Sequence, residues 1–213
     1  IFGLHRCGTH AMQYYLGKYF DIPVTPKYTD QDDALVKFPY NDCFWKHTPP
    51  LGALNLPDDA YIIYCLRHPV AWITAMVLHG SYEIRPTAGK DNRKHSDGSV
   101  NFEWVLKSVT VRSVKTSWDY HDPFAGAVYN SLAHMWLTYA EGFKRGTFQA
   151  SVPNRAKPCV IIRHEDILNN SSKTIRRLAE IGLPRNKVTF EDSHKNLSGG
   201  KKSKEDLIAE QEC

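Results

Sequence analysis

The sequence predicts an α/β protein, a single domain over residues 1–213 with a doubly wound parallel sheet flanked by helices. Three observations predict it. Apolar runs at Ile1-Phe2, Tyr61-Ile62-Ile63-Tyr64-Cys65-Leu66 and Cys159-Val160-Ile161-Ile162 each lead through a turn into a stretch with helical spacing. Strands that alternate with helices favour parallel pairing, because the crossover helix returns the chain over the sheet. A length of 213 residues fills one core and is short for two ordinary domains.

The first strand runs into Gly3-Leu4-His5-Arg6-Cys7-Gly8-Thr9, a glycine-bounded turn. In the helix that follows, Met12, Tyr15, Leu16, Tyr19 and Phe20 share one face at spacings of three and four, and Pro23 and Pro26 end it. The run from Tyr61 to Leu66 is continuously apolar, as a strand covered on both faces should be, and Pro69 opens a helix that extends to Leu78. The third strand leads through Arg163-His164-Glu165-Asp166 to a helix over 172–181, stopped by Gly182 and Pro184. Residues 80–98 are polar without a period and read as a long mobile loop of the kind that closes over a site. Helices are expected over 102–115 and 129–143, the second carrying Leu132, Met135, Trp136, Tyr139 and Phe143, aromatics that suit a core or a ligand box. The charged tail over 201–210 reads as a surface helix or a frayed end, and there is no internal repeat.

Composition narrows the partners. With 42% hydrophobic and 23% charged residues, and no run approaching the ~18 apolar residues of a membrane span, a soluble chain without a membrane anchor is expected. A formal charge of +4 is too mild and too evenly spread to predict nucleic-acid binding, but it suits an anion held in a local basic pocket. Five cysteines without a CxxC pair read as free thiols rather than a disulfide framework or a metal site, and three of them sit in contexts that look buried. The opening Ile1-Phe2-Gly3 reads as a strand end rather than a cleavable leader, so a cytoplasmic location is expected. Oligomeric state is left open.

The turn at 3–9 has the glycines of GxxxxGK[ST] at the right spacing, with Thr9 where a nucleotide triphosphatase has lysine. Between a strand and a helix it aims backbone N–H groups and the positive helix end at a phosphate, while the lysine that reaches a γ-phosphate is missing. Arg67 ends the second strand beside a helix start, where open α/β sheets bind ligands and a guanidinium can clamp a phosphate bidentately. Trp45-Lys46-His47-Thr48-Pro49-Pro50 sets a lysine beside a histidine, whose ring titrates near neutrality and can take a proton.

Together these segments resemble the sulfotransferases that use 3'-phosphoadenosine 5'-phosphosulfate (PAPS), a family with a P-loop-like fold akin to the nucleotide kinases. His5-Arg6-Cys7-Gly8-Thr9-His10 is similar to that family's 5'-phosphosulfate loop, with Arg6, Gly8 and Thr9 matching and Cys7 and His10 departing from Ser and Thr. The run ending in Arg67-His68-Pro69 resembles the family's Arg-Asp/Asn-Pro strand end, whose arginine holds the 3'-phosphate. Thr74 falls one residue short of the family's 3'-phosphate serine, where this chain has Ala75. Lys46 and His47 resemble a Lys-Thr-His-Leu-Pro segment in which the histidine is the base and the lysine stabilises the leaving phosphate. The strand from Val160 into Glu165-Asp166-Ile167-Leu168, with the helix end at Gly182-Leu183-Pro184, resembles the family's Tyr-Glu-Asp-Leu and Phe-Leu-Gly-Leu-Pro segments, His164 replacing the tyrosine near the adenine. Ser198-Gly199-Gly200-Lys201-Lys202 reads first as a solvated lysine pair and second as a counterpart of the family's late Arg-Lys-Gly phosphate loop.

The resemblance implies sulfuryl transfer to a hydroxyl or amine of a small-molecule or glycan acceptor, with release of adenosine 3',5'-bisphosphate and no metal. Residues 76–158 match nothing in the family and are expected to hold acceptor specificity. His5, His10, His121 and Glu83 are the other candidates for the base. Two further readings are a P-loop nucleotide-dependent kinase, which the absent lysine disfavours, and a non-catalytic nucleotide-binding module whose site has decayed at Cys7, Ala75 and His164.

Overall fold

The computed structural model describes residues 1–21, 35–37, 43–45, 47–54, 56, 60–80, 84–111, 126–149 and 159–186. In chain order they form β1 (Phe2–Gly3), α1 (Thr9–Tyr19), β2 (Leu35–Lys37), β3 (Cys43–Trp45), β4 (Ile62–Leu66), α2 (Pro69–His79), β5 (Ile84–Pro86), α3 (Phe102–Leu106), β6 (Val109–Val111) and β7 (Val128–Tyr129). There follow α4 (Leu132–Arg145), a 3-10 turn (Thr147–Gln149), β8 (Cys159–Arg163), α5 (His164–Asn169) and α6 (Ser171–Glu180).

The three apolar runs become a parallel sheet in the order β1-β4-β8, flanked by helices. All five residues of β4 are buried, as its unbroken apolar sequence requires of a central strand. Gly3 pairs with Cys65 and Leu66 with Arg163, so all three strands point the same way and end at one edge. The order advances in a single direction; the reversal that defines a doubly wound sheet is not among the described strands.

The helices follow their sequence signals closely. In α1 the buried residues Met12, Tyr15, Leu16 and Tyr19 form the expected face. Pro69 occupies the start of α2, where a missing N–H costs nothing, and α4 starts after Ser131, whose hydroxyl accepts from the His134 N–H at 3.1 Å. Tyr139, Phe143 and Met135 line its buried face, and the Phe143 ring stacks on Tyr64 of β4 at 4.4 Å. Tyr139 and Phe143 are therefore core, while Trp136 is half-buried at its edge. Beyond α6, Asn186 N–H bonds Tyr19 O and Asp21 N–H bonds Pro184 O, fastening that segment to the end of α1.

The middle of the chain departs from expectation. The helix predicted over 102–115 stops at Leu106, because β-branched Val109, Thr110 and Val111 instead form β6, paired antiparallel with β5 and β7. Residues 80–98 are not a plain loop: they contain β5, and the Asp91 carboxylate gathers Arg85, Arg93 and the Trp104 indole N–H, the last at 2.8 Å. Arg93 also donates to Ile84 O at 2.9 Å and lies 4.8 Å over the Trp104 ring. α5 and the β2–β3 hairpin were not foreseen. No helix among the described residues is long and apolar enough to cross a membrane. Lys46, Glu83, His121, Ser198 to Lys202 and the 201–210 tail lie outside the described residues.

Candidate functional site

The shared edge of the parallel sheet collects the predicted residues. The turn 4–8 follows β1, Arg67 follows β4 and His164 follows β8. Because Leu66 is level with Arg163, Arg67 and His164 come next in register on adjacent strands. Carboxyl ends of parallel strands are where α/β sheets hold ligands, since the helices that follow present their N-termini there.

The turn is built for close approach. Gly8, the residue before α1, has φ +87°, and a side chain there would strike Cδ2 of His164, so both conformation and space demand glycine. Among the described residues the N-terminus of α1 has no side-chain cap, and its first turn holds no acid to offset the positive helix end. Arg6 is left-handed at φ 60° without being glycine, a conformation that must be held by its surroundings. Its Nε donates to Gly80 O at 3.1 Å, at the carbonyl end of α2, where a guanidinium is favoured. Cys7 turns inward: its N–H and its thiol both donate to Leu4 O, at 3.3 and 2.6 Å, so it shapes the turn rather than facing a ligand. Thr9 is buried and His10 half-buried in the first turn of α1.

His47 is brought against this turn. Its Nδ1 lies 2.6 Å from Gly3 O, and the ring stacks on His5 at 4.0 Å. A carbonyl can only accept, so Nδ1 carries the hydrogen of this bond, and in the neutral ring the lone pair is then on Nε2. Both rings are buried, His5 at 4% exposure and His47 at 7%. The Tyr139 hydroxyl donates to His47 O at 2.6 Å, and Gly142 lets Pro50 approach α4 where a Cβ would meet the ring 2.6 Å away. α4 thus fixes the backbone of His47 while β1 fixes its tautomer. Trp72 Nε1 donates to His5 O at 2.7 Å from α2.

Arg67 is partly buried, its NH1 making a long contact of 3.4 Å to Arg6 O, and its carbonyl accepts Trp136 Nε1 at 2.8 Å. The neighbouring His68 N–H donates to Glu165 Oε1 at 2.9 Å, tying the end of β4 to the start of α5. The His164 ring is pushed down to about 3 by burial and by the Arg67 charge, so it is a neutral imidazole. Cys65, one residue from the edge, is pushed up to about 12 by burial and stays a thiol. Cys7 is buried as well, while Cys159 is exposed, and none of the three is in a disulfide with another described residue. Thr74 lies on the half-buried side of α2, in its second turn, while Ala75 faces inward.

Two of the predicted residues thus reach the turn that holds Arg6, Gly8 and Thr9: Arg67 at Arg6 O, and His47 at Gly3 O and the His5 ring, with Cys7 folded inside it. Sequence reasoning missed Gly3 O, Trp136 and Tyr139 as groups that orient them. Tyr139 contacts a residue 92 positions away, and no local spacing announces such a contact. Among the described residues no group of three or more His, Cys, Asp or Glu is placed to hold a metal ion. Comparison with family models, with curated proteins and with solved structures finds no match.

Proposed function

We propose that the chain is a sulfotransferase that moves the sulfuryl group of PAPS to a hydroxyl or amine of a small-molecule or glycan acceptor, within a doubly wound, P-loop-like fold. One observation carries this reading. His47 is buried, with its Nδ1 on the Gly3 carbonyl and its ring on His5, against the turn that leads into α1, a helix whose N-terminus has no side-chain cap. A positioned base next to an anion cradle suits transfer of an anionic group to a hydroxyl.

The residues present fit the donor. The uncapped first turn of α1 and the Gly8 surface suit its 5' end, and the Arg67 guanidinium, level with His164 at the strand ends, suits a phosphate at the 3' position. When bound, PAPS supplies an activated sulfuryl group and an adenosine 3',5'-bisphosphate leaving group. The chain supplies position and charge. Arg67 binds, α1 orients, His47 Nε2 takes the acceptor proton, and Lys46 balances charge at the leaving oxygen. Arg6 holds the turn against α2 through Gly80 O.

Incubation of the full chain with labelled PAPS and a panel of phenol, sugar and amine acceptors, read by mass spectrometry, tests the reaction. Arg67→Ala is expected to weaken PAPS roughly 10- to 150-fold, the value of a charge-assisted phosphate contact, and adenosine 5'-phosphosulfate only a few-fold. Equal losses for the two donors would remove Arg67 from the 3'-phosphate, and transfer to no acceptor, with ATP bound instead, would favour a kinase.

A further inference from the structure

Two arginines, one from the turn after β1 and one from the segment after β5, meet at the end of α2. That helix stops at Gly80, whose φ of 64° and ψ of 179° belong to a region that glycine alone enters readily. Space demands glycine as well, because a side chain there would strike the Arg93 guanidinium. The Gly80 carbonyl accepts Arg6 Nε at 3.1 Å. Carbonyls at a helix C-terminus have no partner within the helix and form its negative end, which favours a guanidinium beside them.

The Arg93 guanidinium is fixed by its own segment. Its Nε and Nη2 grip the Asp91 carboxylate at 3.0 and 3.1 Å, Nη2 also donates to Ile84 O at 2.9 Å, and the group lies 4.8 Å over the Trp104 ring. Its backbone is held too, Arg93 O accepting the Asn101 N–H at 2.9 Å. With two nitrogens committed, Nη1 meets α2, in a long contact of 3.4 Å to Met76 O. Only 13% of the side chain is exposed. Arg6 is the opposite case: the residue is exposed and left-handed at φ 60°, and its side chain reaches the end of α2 at Gly80 O and, at a long 3.5 Å, His79 O.

We propose that Arg93 is a positioning residue for the turn that leads into α1: it fixes the end of α2 at Gly80, and Gly80 O in turn holds Arg6 in its left-handed conformation. The segment from β5 to α3, which matches nothing in the family that the motifs resemble, thereby sets the geometry of the turn from a distance. This role rests on the reading above only for what the turn binds.

NMR of the full chain labelled at arginine tests this, the backbone and Nε–H signals of Arg6 being identified by their loss in Arg6→Lys. In Arg93→Met, which keeps a stem over Trp104 and removes the guanidinium, both signals are expected to shift and exchange of the Nε–H with water to quicken about tenfold, as loss of one ordinary hydrogen bond gives. Trp104→Phe takes the indole N–H from Asp91 and leaves the guanidinium on Gly80, so it is expected to lower Tm with Arg6 unmoved. Should Arg93→Met fail to fold, Arg93→Lys gives the same readout, since an ammonium cannot grip Asp91 with two nitrogens and reach α2 with a third. Arg6 signals unmoved in a folded Arg93 variant, or moved equally by Trp104→Phe, would overturn the proposal. Adenosine 3',5'-bisphosphate separates it from the donor reading. Binding by wild type, weakened about fivefold or more in the Arg93 variant, upholds both. Equal affinity in the two proteins overturns the positioning role and leaves the donor reading. No binding by wild type removes the donor reading, while Arg6 signals moved in the variant still uphold the role of Arg93.

Discussion

The hydrogen bond from His47 Nδ1 to Gly3 O, at 2.6 Å, sets the chemistry that this residue can perform. A neutral ring held this way has its lone pair on Nε2 and cannot exchange tautomers without losing the bond. His47→Ala is therefore expected to leave PAPS affinity within a few-fold of wild type while transfer falls by about 10² to 10⁴, the span for a positioned base. Direct binding measurements beside single-turnover rates check the split; near wild-type turnover would hand the role to another group, with His5 stacked 4.0 Å away as the nearest histidine. Gly8 makes a purely steric counterpart. Alanine there meets both a left-handed φ and the His164 ring, so Gly8→Ala is expected to cost about 1–3 kcal/mol in urea unfolding and to weaken anion binding as the turn is distorted. The pairing of a lysine with a histidine at 46 and 47 was legible in the sequence as a candidate. The carbonyl that orients the histidine was not, because any residue has one.

At the scale of elements, the helices with a strong buried face and a marked start were legible: α1, α2 and α4 begin and end within a few residues of their signals. The segment from β5 to α3 was not, because it is organised by Asp91 rather than by a period. Partial burial raises the Asp91 carboxyl, but hydrogen bonds from Arg93, Arg85 and Trp104 outweigh it and hold the group below its ordinary 3.8. With the folded value depressed, its contribution is fully present above the unfolded pKa and is lost as the pH falls through the folded one. Asp91→Asn is expected to cost about 1–2 kcal/mol at neutral pH, with the gap to wild type narrowing below about pH 4. Urea unfolding of both proteins at the two pH values measures this. His164, neutral in both, cancels from the difference, and a gap that ignores pH would mean that Asp91 acts through packing alone.

For the whole molecule, a ligand that bridges the ends of β1, β4 and β8 stabilises the sheet against global unfolding, because the unfolded chain has no such site. Adenosine 3',5'-bisphosphate at a hundredfold over its Kd is expected to add about 2.7 kcal/mol without any divalent ion, seen as a rise in Tm, whereas ATP with Mg²⁺ should add less. An unchanged Tm with the bisphosphate and a rise with ATP would reverse the assignment of the ligand. The sequence by itself determined the α/β class, the three parallel strands and the turn beside them, because apolar runs and glycine or proline punctuation act over a few residues. Only the tertiary structure decided that Arg67 and His164 stand level, that Tyr139 and Gly3 hold His47 between them, and that Val109 to Val111 leave the helix to join β5. Those outcomes depend on register and on partners tens of residues distant, where packing outweighs local preference and no spacing along the chain records it.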